Sequence, residues 1–302
     1  MRIVAVDPTT VAVGSAFGQG PIPTNFSTIG LGASVFSILG NLHSNKFGVL
    51  GQFTTNTSNP SSATLTGVAD DNELGNTPAS AAAISGKYAV AASGYGNMTI
   101  PAGQLGNVSQ LGLYLTDPNL NLNDPNNTSG GGGALLLDLD ANLAGGTGFG
   151  TPQTDTSTTS FIGSYAAGWQ YVDLTGAYGC EVDMAARGTV TGGTMSLTGL
   201  VSDPFVVLAS STTTQADTFI DTFIGTPLPD TNHPGRSTML AANTTPNPLT
   251  VTITPKTFNY DVVVYQASGG QLFWLDVDTS DVFLGPRAAE FGWHPLSEKK
   301  AR

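Results

Sequence analysis

Phe273-Trp274-Leu275-Asp276-Val277-Asp278 is the stretch that decides the fold class. Laid out as a β-strand, it puts Phe273, Leu275 and Val277 on one face and Trp274, Asp276 and Asp278 on the other. Leu135 to Asp140 reads the same way, with Leu135, Leu137 and Leu139 opposing Leu136, Asp138 and Asp140. A third copy of the pattern, Val4-Ala5-Val6-Asp7, stands near the start. The acids closing these stretches, Asp7, Asp140 and Asp278, recur at spacings of 133 and 138 residues, the size of a small domain.

Other landmarks keep step. Phe17-Gly18 falls on Phe149-Gly150, Ile29-Gly30 on Ile162-Gly163, and Leu65-Thr66-Gly67 on Leu197-Thr198-Gly199, which brings Asp71 onto Asp203. Gly86-Lys87 leading to Met98-Thr99-Ile100 resembles Gly235-Arg236 leading to Leu249-Thr250-Val251. The spacing predicts a terminal hairpin of a truncated preceding repeat over 1–20, β-repeat domains over 21–153 and 154–292, and a polar tail over 293–302. Alternating segments are divided by Gly-rich or Asp-Pro turns, as at Asp117-Pro118 and Asp203-Pro204. The fold expected is all-β, built of tandem antiparallel up-and-down β-barrel or β-sandwich units. At most short helices are expected, one capped by Thr77 and closed by Gly86, another carrying Phe219, Ile220, Phe223 and Ile224. Asp117 to Gly132, rich in Asn, Asp, Pro and Gly, reads as an exposed loop.

Composition narrows the function. Charged residues make up 11% of the chain, against about 25% in ordinary soluble domains, and the net charge is −12. Ten Lys and Arg residues, several of them in the last few positions, give no cationic patch for nucleic acid or anionic lipid. Cys180 stands alone, so an intrachain disulfide is excluded, and Tyr178-Gly179-Cys180-Glu181 offers no base to activate a thiol. It reads as a half-buried strand cysteine. The apolar run at Met1 is cut off by Asp7-Pro8, too early for a signal peptide. With the chain opening in mid-repeat, the export signal is expected to lie in a missing upstream part.

At Phe161-Ile162-Gly163-Ser164-Tyr165-Ala166, the Thr-Gly-x-x-x-Asp turns and the closing Leu-Asp-x-Asp hairpin followed by Gln153, the chain resembles a known family. This is a tandem β-rich repeat of long secreted or lipid-anchored envelope proteins of environmental bacteria. The resemblance covers nearly the whole chain and implies export and tandem β-domains, with no activity. Phe26-Ser27-Thr28-Ile29-Gly30-Leu31-Gly32 departs from its pattern at the tyrosine.

Residues that carry chemistry are sparse. His43, His233 and His294 lack zinc spacing, and the last two adjoin prolines, which reads as loop. Neither Gly-x-Ser-x-Gly nor Gly-Lys-Ser/Thr occurs. The pairs Asp138/Asp140 and Asp276/Asp278 could serve calcium or a glycosidase, but their recurrence in each repeat favours an outward-facing, solubilising pattern. The loop from Asp117 lacks the glycine and glutamate of an EF-hand, at Leu122 and Thr128, which leaves only a weak, irregular calcium site. Asn-x-Ser/Thr triplets such as those at Asn25, Asn97 and Asn243 mark surface loops. Trp169 and Trp274 are the candidate ligand-stacking residues of a barrel cavity. No catalytic, cofactor or metal residue is assigned. The expected protein is a non-catalytic secreted or envelope scaffold or adhesin, with extracellular glycans or envelope proteins as partners. The alternative is a barrel binding carbohydrate or a small apolar molecule, and a hydrolase ranks last. A membrane-embedded barrel is disfavoured by the lack of aromatic girdles and by the charged Lys299-Lys300-Ala301-Arg302 end.

Overall fold

The structure, a computed structural model, describes residues 2–6, 11–20, 25–28, 31–42, 45–56, 63–73, 80–120, 131–140, 144–160, 162–173, 180–207, 214–248, 257–277 and 290–295. Strands β1 (Arg2–Val6) and β2 (Val11–Ser15) form a separate hairpin. Next come β3 (Ala33–Leu42), β4 (Asn45–Thr55), β5 (Ala63–Glu73), β6 (Ala82–Val90), β7 (Tyr95–Thr99), β8 (Gln110–Leu115), β9 (Ala134–Asp138) and β10 (Ala144–Pro152). Each pairs antiparallel with its neighbour, and β10 returns to β3, with Ala144 opposite Leu42 and Pro152 opposite Ser34. The ring is a closed eight-stranded barrel with no free edge.

Alternation sorts its side chains. Phe36, Ile38, Phe47, Val49, Phe53, Leu65, Ile84, Tyr88, Met98, Leu111, Leu113 and Leu136 fill the interior as one core. Thr64, Thr66, Lys87, Asn97, Thr99 and Gln110 stand exposed outside. The interior is apolar and most of the outside polar, the reverse of an outer-membrane barrel, with Tyr95, Tyr114, Leu137 and Leu139 the large apolar side chains exposed on it among the described residues. Gly51 shows how tightly the core is filled: a Cβ there would lie 2.7 Å from the Phe36 ring and 2.8 Å from the Val68 carbonyl.

A second antiparallel sheet contains β11 (Gly163–Asp173), β12 (Cys180–Thr191), β13 (Thr194–Val207), β14 (Thr214–Gly225), β15 (Leu228–Pro229), β16 (Arg236–Pro248), β17 (Thr257–Ser268), β18 (Gln271–Asp276) and β19 (Glu290–Pro295). The order is again sequential, with β19 beside β11 and the two-residue β15 on β16. Tyr165, Val190, Met195, Leu197, Phe223, Met239, Val262, Val264, Leu272 and Trp274 share its inner core.

Several expectations change. Phe219 to Ile224 belong to β14 rather than a helix, because pairing with β13 and β16 takes up the backbone and Phe223 points into the core. Ala82 to Ile84 open β6, while Thr77 and Pro78 lie outside the described residues. With β14 counted, Gly235-Arg236 stands one strand later in its sheet than Gly86-Lys87 does in the barrel, so that landmark pair does not correspond. Trp293, His294 and Pro295 lie in β19 rather than in a tail or loop, opposite Ala167, Ala166 and Tyr165. The faces of β9 are also reversed. Asp138 and Leu136 point inward while Leu137 and Leu139 are exposed. Apolar residues occur on both faces of this strand, so alternation alone does not say which face is buried.

Candidate functional site

The outer face of β3–β5 is not left to solvent. Val35, Leu50 and Val68 leave the barrel there and pack on Val263, Tyr265, Ala267, Phe273 and Leu275, the outer face of β17–β18. Phe149 meets Phe273 edge-on, at 5.4 Å between centroids and 63°. All six residues of β18 are therefore buried: Leu272 and Trp274 in their own sheet, Phe273 and Leu275 against the barrel.

A polar cluster is set into this apolar seam. Asp70, two positions beyond Val68 on β5, is fully buried and takes four hydrogen bonds. The Arg236 guanidinium donates two as a fork, Nε to Oδ2 at 2.8 Å and Nη2 to Oδ1 at 2.6 Å. The Tyr265 hydroxyl gives the third at 2.5 Å, and the Ala81 amide the fourth at 2.9 Å. Ala81 is held at a φ of 50° to make its bond. Arg236 continues through Nη2 to Ser80 Oγ at 3.2 Å and through Nη1 to Asp230 Oδ2 at 3.0 Å, and that oxygen also meets His233 Nδ1 at 2.9 Å. The Asp230–Arg236 loop is closed on itself, Asp230 N donating to the Arg236 carbonyl. Gly235 supplies the bend, with a φ of 96° and no room for a Cβ beside Gln153 Nε2.

The electrostatics suit a closed network. Burial opposes the charge of Asp230, but His233, the Asn232 amide and Arg236 outweigh it and hold its pKa at about 2. Burial also opposes the Arg236 charge, and Asp70 reverses this, raising its pKa. The Tyr265 phenol is pushed well up by burial and then by the Asp70 carboxylate. With both Asp70 oxygens saturated and the guanidinium 4% exposed, neither group has an open position for a substrate. Weaker links flank the cluster. Asn72 Nδ2 donates to the Asp276 carbonyl at 2.7 Å, Gln52 Nε2 to the Pro234 carbonyl at 3.0 Å, and Gln153 Nε2 to the Gln266 carbonyl at 2.9 Å. The connection after β10 is strapped down by Thr154 N to the Ala267 carbonyl at 2.7 Å.

The residues singled out by sequence lie elsewhere. Trp274 is stacked on Phe223 in the inner core, 5.7 Å apart and 12° from parallel, with 2% of its surface exposed. Trp169 sits on β11 opposite Met184 and Phe291. A cavity of about 410 Å³ opens in the second sheet, lined by Ile162, Val190, Pro227, Val264 and Leu272. Gln266, also on its wall, donates from Nε2 to the Ser157 carbonyl and to Ser160 Oγ, and its buried Oε1 is without a partner among the described residues. Asp138 and Asp140 do not project outward to solubilise the barrel. Asp140 accepts from Ser109 N and Oγ and from Gln110 N, and its own amide bonds Asp138 Oδ1 at 2.9 Å. Burial raises the Asp138 pKa; it opposes the Asp140 charge as well, but Ser109 and Gln110 prevail and lower that pKa. Asp278, His43 and residues 121–130 lie outside the described residues. No three His, Cys, Asp or Glu side chains gather as metal ligands among the described residues. Sequence reasoning missed Asp70 and Arg236; the one signal was an acid at a strand position that alternation turns away from the barrel core.

No family model and no curated protein matches the chain. Among solved structures it is similar to the beta domain of the Bordetella autotransporter Brka, at 10% identity over 87% of this chain and 96% of that one, with a TM-score of 0.18. No helix among the described residues is long and apolar enough to cross a membrane, which leaves β-barrels unaddressed.

Proposed function

We propose that the chain is a non-catalytic structural protein of the cell surface or envelope, built of tandem β-units docked into one stiff body. The observation carrying this reading is the saturated Asp70–Arg236–Tyr265 cluster inside an apolar seam, a place where chemistry would need an open coordination position and finds none. The filled barrel interior and its Thr/Asn/Lys exterior support a scaffold in water. The test is protease treatment of intact source cells, followed by fractionation and detection with an antibody to the chain. Cleavage from outside, with the chain in envelope or medium fractions, is the expected result. A protected chain in the cytosolic fraction would overturn the reading.

A second reading, binding of a small and mainly apolar molecule, is favoured by the cavity beside Gln266, whose size and lining fall within the ordinary range for ligand sites. Mass spectrometry of small molecules extracted from the purified chain tests it. A molecule retained by wild type and lost from Val264→Trp, which would fill the cavity, supports binding; nothing retained by either sinks it.

A further inference from the structure

The cavity in the second sheet has a floor and a rim of different character. Val190, Val264 and Leu272 on its floor belong to the apolar core of that sheet. Two polar side chains stand among them, Ser237 at 3% exposure and Gln266 at 1%. Ser237 pairs with Val264, which makes Gln266 its diagonal neighbour on the inner face, about 7–8 Å away at the backbone. The rim is apolar: Ile162 is 63% exposed there, and Leu228, between the rim residues Pro227 and Pro229, is exposed to the same extent.

The surroundings of Gln266 fix which way its amide points. The Ser160 hydroxyl gives its proton to Asp155 or to the Ser157 carbonyl, so what it offers Gln266 is a lone pair. The Ser157 carbonyl offers another. Both neighbours accept, so the NH2 end of Gln266 faces them, at 3.0 Å each. Oε1 is left as a buried acceptor without a partner among the described residues. Such an orphaned acceptor costs stability, and a donor brought by a ligand would remove the cost.

The lining also excludes whole classes of ligand. It holds no charged side chain: Arg236, the residue before Ser237, points to the opposite face, where Asp70 and Asp230 hold it. A carboxylate or ammonium group drawn into the cavity would be buried unpaired. The lining holds no aromatic ring either, and Trp274 is stacked on Phe223. A sugar would find neither a stacking face nor enough partners for its hydroxyls. We propose that the cavity takes an uncharged, mainly apolar molecule bearing a single hydroxyl, which donates to Gln266 Oε1 and accepts from the Ser237 hydroxyl. The inference rests on the small-molecule reading of this cavity and names the class of ligand.

Isothermal titration calorimetry of the full chain with three probes of similar size tests this. They are 1-octanol, its isomer heptyl methyl ether, which accepts but cannot donate, and octanoate at pH 8. Octanol is expected to bind at least about fivefold more tightly than the ether, which leaves Oε1 unpaired. It should bind at least about tenfold more tightly than octanoate, whose charge would be buried without a partner. Val264→Trp, which fills the cavity, should abolish octanol binding. Ser237→Ala, which deletes one oxygen, should weaken it about threefold with a melting temperature near wild type. Leu137→Lys, on the outer face of the barrel, should leave it unchanged. The contrast between alcohol and ether needs no variant, so it stands even where Val264→Trp does not fold. Octanol bound no better than the ether or octanoate would overturn the inference and leave the small-molecule reading standing. Octanol binding untouched by Ser237→Ala and Val264→Trp would overturn it as well. So would the binding of no probe at all, and extraction of the purified chain then decides the small-molecule reading separately: a retained molecule keeps it, and none sinks it.

Discussion

Asp70 takes four hydrogen bonds with no water-facing surface, so its removal leaves Arg236 charged and buried without its fork. Asp70→Ala is expected to cost about 3–5 kcal/mol in urea denaturation. The double variant Asp70→Leu/Arg236→Met removes both charges together and should recover most of that loss, because paired burial of ions contributes little net stability. A double variant as weak as the single one would show that the cluster acts by something other than charge satisfaction. Asp230 gives the pH dependence. Its folded pKa, about 2, lies below the unfolded value, so its contribution is present at neutral pH. That contribution declines as pH falls below about 4 and is gone once the folded carboxylate is protonated. The urea midpoint of wild type should fall across this window, and Asp230→Asn should flatten the fall while lowering the midpoint at pH 7.

Strand by strand, the sequence is most readable where one face alone is apolar. Tyr95 to Thr99 and Ala63 to Thr66 alternate cleanly, and they form β7 and the start of β5. In β9 the recurring acids favour an outward Asp138 face on sequence, but Leu135, Leu136 and Leu137 are consecutive, and the ring of neighbours decides that Leu136 goes in. Leu136→Ala should therefore cost about 2–5 kcal/mol by leaving a cavity, while Leu137→Ala should change thermal stability of the monomer by less than about 0.5 kcal/mol. The reverse ranking would put the Asp138 face back outside. In β18 the same pattern is buried on both faces, since the seam covers Phe273 and Leu275 from without. β14 reads as a helix on sequence because Phe219, Ile220, Phe223 and Ile224 fit helical spacing, and the competing fact, pairing with β13 and β16, involves residues far along the chain. The seam is illegible for a related reason: Asp70 and Arg236 are 166 positions apart, and the landmark Gly235-Arg236 carries no sign of its partner.

At the scale of the whole molecule, an apolar cluster, a buried ion pair and a strapped connection join barrel and second sheet. Calorimetry of wild type should show one cooperative transition, with calorimetric and van't Hoff enthalpies agreeing. Asp70→Ala should split it into two, the closed barrel melting last. Two transitions already in wild type would mean that the seam couples the sheets too weakly for a single body.

The strapped connection has a mechanical consequence. Gln153 N is bonded to the Ala33 carbonyl, Thr154 N to the Ala267 carbonyl, and Gln266 Nε2 to the Ser157 carbonyl. A pull transmitted along the backbone would reach these bonds before either sheet could be drawn open. The joint between the sheets works as a rivet rather than a leash, and in a longer row of such units tension would pass from rivet to rivet with little give.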